Sequence, residues 1–278
     1  MKNSFSTLGC PEWDLDEICR RGEEYGFDGV DFRGYLDTLD ITTLDQFTNK
    51  ADATRRQLDK AGLQVSGISS SIRLCEPEQR QQILTEARRT IETALGLGTV
   101  NVRVFGGGDL SLHSRTDLVK IASDCFLDIL GLEGAEKIDW LLETHDLWVH
   151  SADCRLMVEK IAQKNFGVLW DIGNTPHEAG EAPVETLNEI GRWVRYTHVK
   201  DVLYDPTHPL AMQSGWRYVL PGQGQVPLSE AVRALCSRGY EGWLTFEHEK
   251  RWHPVLPGPE EAFPAFVHWV RSNLEPTI

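Results

Sequence analysis

The sequence predicts a single (β/α)8 TIM barrel that occupies residues 1–278. Two observations support this fold class. Short β-rich segments alternate with longer amphipathic segments along the whole chain, which is typical of a parallel sheet covered by helices. The length of 278 residues also suits one α/β barrel better than two ordinary domains, and a hydrophobic content of 41% is sufficient for a full core.

Eight β-rich segments provide the predicted barrel strands. They lie near residues 3–8, 28–33, 63–70, 99–105, 138–145, 166–172, 194–200 and 242–248. Between them, apolar residues at three- and four-residue spacing predict outer helices, including those near 14–25, 78–97, 115–131, 151–164, 228–238 and 260–273. Asp14 can cap the first of these helices, and Gly26 and Gly239 follow helices at positions that favour a left-handed backbone.

One connection differs from the others. Residues 201–226 are too numerous and too rich in Pro and Gly for an ordinary link, and long loops in compact domains often act as lids. This segment leaves the carboxyl end of the seventh predicted strand, which is the face where such barrels keep their chemistry. We therefore expect a lid-like loop over residues 201–226.

The charge and the cysteines restrict the class of protein. Twenty-eight Lys and Arg against 42 Asp and Glu give a net charge of -14, which disfavours nucleic-acid and membrane partners. The amino terminus lacks a signal-peptide pattern, and no segment approaches the roughly 20 apolar residues of a membrane span. The six cysteines are scattered without metal or disulfide spacing. We expect a cytoplasmic protein.

Four polar residues end four successive β-rich segments. They are Glu143, Asp171, His198 and Glu247. Period-two alternation allows all four side chains to point into one barrel mouth. Alone, each residue could be a helix cap or a solvated loop residue. Together, three buried carboxylates would repel one another and lose hydration at a cost of several kcal/mol, and a divalent cation would remove that conflict.

The donor set indicates which metal to expect. Three carboxylates and one imidazole suit Mn²⁺, Mg²⁺ or Co²⁺ better than a structural zinc site, which favours thiolates or more histidine. Mn²⁺ is the preferred prediction, and Zn²⁺ is retained as an alternative.

Further polar and aromatic residues near the same mouth are candidates for substrate binding. His145 shares the predicted face of Glu143, and Lys200 shares that of His198. Arg33 and Arg103 end two other strands, although each cation could instead pair with a neighbouring aspartate such as Asp31, Asp109 or Asp201. Trp170 could stack on a sugar, and Arg217 lies in the predicted lid.

These segments resemble the xylose isomerase-like barrels of the sugar phosphate isomerase/epimerase family. The resemblance covers STLGCPEWDLDEICRRGEEYGFDGVDFR and the segments LLETHD, LWDIGN, THVKD and GYEGWLTFEHEK. It implies that Glu143, Asp171, His198 and Glu247 bind the metal and that Glu143 and Glu247 form an acid/base pair on opposite faces of a sugar. The metal would act as a Lewis acid for an enediolate-like transition state. The implied partner is a small carbohydrate, and many such barrels form dimers or tetramers.

The sequence departs from the ketohexose 3-epimerases of that family. Where those enzymes carry Glu, His and Arg as sugar contacts, this chain has Val149, Asn174 and Tyr204. A sugar isomerase or epimerase is the first prediction, and an inosose-type dehydratase of the same fold is the alternative. An abasic-site endonuclease would need more inward histidines than these strands supply, and a non-catalytic sugar-binding barrel is a further alternative.

Overall fold

The structure, a computed structural model, describes residues 1–274 and confirms the predicted (β/α)8 barrel. Eight parallel strands close on themselves, each paired with the next along the chain and the last paired with the first. The barrel strands are β1 (Lys2–Ser6), β2 (Gly29–Phe32), β3 (Gln64–Arg73), β4 (Asn101–Phe105), β5 (Asp139–Glu143), β6 (Phe166–Asp171), β7 (Val194–Val199) and β10 (Trp243–Phe246). Each of the eight predicted segments overlaps one of these strands.

Nine α-helices are described within residues 1–274. They are α1 (Leu15–Tyr25), α2 (Ala51–Lys60), α3 (Arg80–Leu97), α4 (Arg115–Leu130), α5 (Ser151–Ile161), α6 (Asn174–Glu178), α7 (Pro183–Ile190), α8 (Leu228–Ser237) and α9 (Pro259–Leu274). The predicted helix ends are confirmed at α1, where Asp14 Oδ1 accepts a hydrogen bond from the Glu17 amide and Gly26 has a φ of +79°. None of the described helices is long and apolar enough to cross a bilayer.

Three of these helices were not among the predicted segments. Helix α2 has only three buried side chains, Ala51, Thr54 and Leu58, so its apolar periodicity is weak. Helices α6 and α7 contain five and eight residues, which is too short for a clear helical period. Short helices of this kind are held by packing against the barrel rather than by their own sequence.

The apolar core has two parts. The larger part lies between the strands and the helices, and includes residues such as Trp140, Phe126 and Phe266. The smaller part lies inside the barrel, where Leu141, Leu169 and Tyr196 pack together. These three residues precede Glu143, Asp171 and His198 by two positions, so the apolar layer lies directly beneath the polar ends of β5, β6 and β7.

The long connection over residues 201–226 is more ordered than its composition suggested. It contains an antiparallel hairpin of β8 (Asp201–Tyr204) and β9 (Trp216–Val219). The carboxylate of Asp201 accepts hydrogen bonds from the amides of Val202, Gly222, Gly224 and Val226 at 2.9–3.2 Å. In this Pro- and Gly-rich segment, the carboxylate thus accepts hydrogen bonds from backbone amides in place of backbone carbonyl groups. A movement of this segment as a lid stays a prediction.

Candidate metal centre and active site

Four side chains meet at the carboxyl-terminal mouth of the barrel. One ligand atom from each of Glu143, Asp171, His198 and Glu247 lies within 4.8 Å of all the others, and none of the four residues is more than 4% exposed. Glu143 ends β5, Asp171 ends β6, His198 is the penultimate residue of β7, and Glu247 follows β10. Because parallel strands end at the same edge, residues far apart in sequence converge here.

The spacing around His198 is suited to a cation. Its Nδ1 atom lies 3.1 Å from Glu143 Oε1 and 3.2 Å from Glu247 Oε1. Both carboxylate oxygens are acceptors, so one ring N–H cannot serve both equally well. Adjacent ligands at about 2.1 Å from a metal lie about 3 Å apart at right angles, which agrees with these two distances. The residues present therefore fit one divalent cation.

Arg103 compensates the charge of Glu143. Its Nη1 donates to Glu143 Oε2 at 2.5 Å, and both side chains are buried. Burial alone would raise the pKa of Glu143, but the guanidinium of Arg103 and the imidazole of His198 hold that pKa well below its usual range. Glu143 is consequently a carboxylate at neutral pH. The Arg103 guanidinium also lies over the ring of Phe105, 3.9 Å from its centroid.

Lys200 connects three further carboxylates. Its Nζ lies 2.7 Å from Asp171 Oδ2, 2.8 Å from Glu247 Oε2 and 3.3 Å from Glu249 Oε1. Burial opposes ionisation of Glu247, yet His198 and Lys200 lower its pKa well below the usual value. The surrounding carboxylates likewise keep the pKa of Lys200 well above its usual value despite its burial. The ammonium group therefore stays charged.

Asp171 is fixed by its own backbone. Its Oδ1 accepts hydrogen bonds from the amides of Gly173 at 2.8 Å and Asn174 at 3.0 Å, and its amide donates to Thr144 Oγ1 at 2.9 Å. Burial raises the pKa of this carboxyl, and the neighbouring Lys200 opposes that rise. The turn after β6 thus holds one oxygen and leaves the other facing Lys200 and the ligand cluster.

A polar cavity of about 210 Å³ lies over the ligand cluster. Four of the six residues predicted to bind substrate line it, namely Arg33, Arg103, His145 and Lys200. The ring of His145 packs against Phe105, with centroids 4.9 Å apart, and its Nδ1 has no hydrogen-bond partner among residues 1–274. This buried nitrogen therefore has unused hydrogen-bonding capacity beside the cavity. Glu143 and Glu247 also line the cavity, so both carboxylates can contact a bound molecule.

The structure places the other two predicted substrate residues elsewhere. Trp170 is completely buried, and its Nε1 donates to Thr175 Oγ1 at 2.9 Å, on the opposite face of β6 from Asp171. Arg217 pairs with Asp205 at 3.5 Å and does not line the cavity. In both cases strand alternation turns the side chain away, and on β9 the inward residue is Tyr218 instead.

The pairings suggested for the three cations are also different. Arg103 pairs with Glu143 rather than with an aspartate, and Lys200 pairs with the cluster rather than with Asp201. Asp31 is buried inside the barrel, where it accepts hydrogen bonds from Ser69 and Tyr196. Arg33 donates to Ser71 Oγ at 3.0 Å. The mouth is therefore organised around the carboxylates of the cluster, which neutralise the positive charges of Arg103 and Lys200.

Sequence reasoning missed several residues that line the cavity. They are Leu8, Phe105, Asn174, Glu178, Tyr218, Glu249 and Trp252. Glu249 could have been found, because it follows Glu247 by two residues, as His145 follows Glu143. Burial raises the pKa of Glu249 to about 7, although Lys200 opposes this rise. Tyr218 could not have been found, since its position depends on the hairpin.

Known proteins are similar to this chain over most of its length. An inosose dehydratase from Clostridium botulinum (strain Eklund 17B / Type B) is 23% identical over an alignment of 291 residues, gaps included, that covers 91% of this chain and 91% of the other. Among solved structures, the probable 3-DHS dehydratase AsbF from Bacillus anthracis is 17% identical with a TM-score of 0.78 over 97% of this chain and 98% of that one. The IOLI protein with a bound zinc atom is 18% identical with a TM-score of 0.80, covering 99% and 98%.

A family model adds a direct assignment. The model described as "Xylose isomerase-like TIM barrel" matches residues 19–272, which include all four ligands of the cluster and every barrel strand except β1. The match agrees with the closed barrel and with the ligand positions at its carboxyl-terminal mouth. The chain belongs to the xylose isomerase-like TIM barrel family.

Proposed function

We propose that this protein is a metal-dependent enzyme that removes a proton next to the carbonyl group of a small polyhydroxylated ketone or aldehyde. The convergence of three carboxylates and one imidazole beneath a polar cavity carries this proposal. Glu143, Asp171, His198 and Glu247 would hold the metal, with Mn²⁺ preferred and Mg²⁺, Co²⁺ or Zn²⁺ as alternatives. When bound, the cation supplies Lewis-acid polarisation of the substrate oxygens.

Glu143 and Glu247 are the proposed acid/base pair. Both line the cavity, and both are kept ionised by a buried cation, Arg103 for Glu143 and Lys200 for Glu247. An ionised carboxylate can accept the proton of an acidic C–H group, and a positioned base contributes on the order of 10² to 10⁴ in rate. His145 would donate a hydrogen bond to a substrate oxygen.

Dehydration is one outcome that this pair supports. One carboxylate takes the proton from carbon, and the electron pair of that C–H bond forms a carbon–carbon double bond as the neighbouring C–O bond breaks. The carboxyl group that has just been protonated gives its proton to the departing hydroxyl group, which leaves as water. The relative that is similar over 91% of both chains is an inosose dehydratase, and this similarity favours dehydration of a keto-polyol.

Isomerisation or epimerisation is the second outcome. Isomerisation returns the proton to a neighbouring carbon, which one carboxylate can do. Epimerisation returns a proton to the other face of the same carbon, which calls for a second carboxylate. Glu143 Oε1 and Glu247 Oε1 lie 3.1 Å and 3.2 Å from His198 Nδ1, so a second carboxylate is available beside the first. The 3-keto-D-glucoside 4-epimerase YcjR from E. coli has the same fold, with a TM-score of 0.76.

Reaction in deuterated water separates these outcomes. The metal-loaded protein is incubated with inosose, ketoses, aldoses and their phosphates, and products are followed by NMR and mass spectrometry. Incorporation of deuterium into a product that has lost no water would indicate an isomerase or epimerase. A product lighter than the substrate by one water molecule would indicate a dehydratase.

Two variants serve as controls for that experiment. Glu247→Gln should abolish the reaction, and Glu230→Gln, at an exposed position of α8, should leave it unchanged. Stoichiometric metal binding with neither exchange nor water loss for any substrate would contradict the proposal and favour a non-catalytic sugar-binding barrel.

A further inference from the structure

We infer that this site selects an uncharged polyol over a phosphorylated or carboxylated one, and that Glu249 is the residue that imposes this choice. The inference rests on the proposed function, because it assumes that the cavity over the ligand cluster binds the substrate. It assigns a role to a residue outside the metal set, and it narrows the substrate class from carbohydrates in general to uncharged ones.

Glu249 is placed to contact a ligand. It lines the cavity, is only 9% exposed, and is held by Lys200 through Oε1 at 3.3 Å. No hydrogen bond to Oε2 is present within residues 1–274, so this oxygen can accept from a ligand hydroxyl group. A phosphate or carboxylate at the same place would meet the ionised form of this carboxyl group, which the neighbouring ammonium group of Lys200 favours, in a partly dehydrated site where like charges repel strongly.

The charge of the whole site also suits a neutral ligand. Five carboxylates surround the cavity and the ligand cluster, namely Glu143, Asp171, Glu178, Glu247 and Glu249. Three cations accompany them, Arg33, Arg103 and Lys200. One divalent ion brings the total close to zero, and two of the three cations already pair with buried carboxylates. A neutral ligand preserves this balance, whereas an anion disturbs it.

The size of the cavity agrees with a small neutral ligand. Its volume of about 210 Å³ is below the roughly 300–1,000 Å³ of pockets that hold drug-sized molecules. A single polyhydroxylated ring is therefore the appropriate class. Arg33 is the cation that could favour an anion instead, since within residues 1–274 it makes a hydrogen bond to Ser71 and no ion pair.

Equilibrium binding of matched probes tests the inference. The metal-loaded protein is titrated calorimetrically with myo-inositol, myo-inositol 1-phosphate, glucose and glucuronate, so that each neutral probe has an anionic counterpart. We expect the neutral member of each pair to bind at least about tenfold more tightly. Glu249→Gln, which keeps the size and removes the charge, should reduce this preference by about tenfold. Glu230→Gln should not change it.

Several results would overturn the inference. These are tighter binding of the anionic probes, a preference that survives Glu249→Gln, or no binding of either neutral probe. Tighter anion binding that is lost in Arg33→Gln would assign the anion site to Arg33. A metal titration of Glu249→Gln must give the wild-type affinity, because Lys200 keeps Asp171 and Glu247 as partners. The proposed function is tested separately, by proton exchange, and can fail while the binding preference holds.

Discussion

At the scale of single residues, the site depends on buried charges that are balanced in pairs. Arg103 and Glu143 lie on neighbouring strands, with side chains 3% and 1% exposed, and Lys200 lies among three carboxylates. Breaking a buried ion pair by removing one partner leaves the other charge dehydrated and uncompensated. The same buried ion pairs therefore contribute to the free energy of unfolding and keep the proposed substrate-binding carboxylates ionised.

Replacing Arg103 tests this link. In the metal-free protein, Arg103→Met should lower the free energy of unfolding by about 3–5 kcal/mol, because Glu143 would stay buried without its cation. Urea denaturation followed by circular dichroism measures the change. Arg88→Met, at an exposed position of α3, should change stability by less than about 0.5 kcal/mol. Equal stability of the two variants would show that the Arg103–Glu143 pair contributes nothing net.

His248 predicts a pH dependence. It is 5% exposed, its Nε2 donates to the Pro257 carbonyl at 2.8 Å, and burial lowers its pKa to about 4. In the unfolded chain its pKa is about 6.5, so between these values the unfolded state binds more protons. The contribution of His248 is therefore lost as the pH falls from about 6.5 to about 4, by about 3 kcal/mol in total.

The matched variant His248→Gln isolates this effect, because the glutamine side chain can donate a hydrogen bond but does not titrate. Unfolding free energies are measured by denaturant titration at several values between pH 7 and pH 4. The wild-type protein should lose more stability than the variant across this window. Parallel curves would mean that protonation of His248 is not coupled to folding.

At the scale of elements, the strand ends position the site and the hairpin of β8 and β9 covers it. Asp201 joins the hairpin to the end of the same connection, because its carboxylate holds the amides of Gly222, Gly224 and Val226. Gly224 allows this close approach, since a Cβ atom there would lie 2.1 Å from Asp201 Oδ1. The hairpin in turn carries Tyr218 to the cavity.

Asp201→Ala should loosen the connection without unfolding the barrel. Removing the carboxylate leaves several amides without an acceptor, at a cost of about 1–3 kcal/mol for each one that stays buried. Local opening of the connection, which exposes these amides to water, therefore needs less free energy in the variant than in the wild-type protein. Hydrogen exchange read by mass spectrometry should become faster over residues 216–226 and stay unchanged in β5 and β6. Glu230→Ala, at an exposed position of α8, provides the control. Uniformly faster exchange throughout the chain would contradict a local role.

The difference between predicted and observed elements has a physical basis. Strands such as β5 and β6 were predictable because a buried parallel strand requires a continuous apolar run ending in a polar residue. The same alternation predicted the four ligands and His145. It did not predict the hairpin, Tyr218 or the pairing of Arg103 with Glu143, which depend on tertiary contacts between segments distant in sequence.

At the scale of the whole molecule, one cation would join four strands of the barrel. Glu143, Asp171, His198 and Glu247 come from β5, β6, β7 and the end of β10, so a metal bound to all four would stabilise the folded chain as a unit. A ligand present at one hundred times its dissociation constant stabilises the native state by about 2.7 kcal/mol. The thermal midpoint should therefore rise with metal concentration and return to the metal-free value after chelation.

The most direct test of the metal centre is a calorimetric titration of the metal-free protein with Mn²⁺, repeated with Mg²⁺, Co²⁺ and Zn²⁺. We expect one ion per chain, lost in Asp171→Asn and retained in Glu230→Gln, because only the first residue contributes a ligand. Circular dichroism of Asp171→Asn must show that this variant is folded. Absence of stoichiometric binding of any of these ions, or unchanged affinity in Asp171→Asn, would contradict a metal centre formed by these four residues.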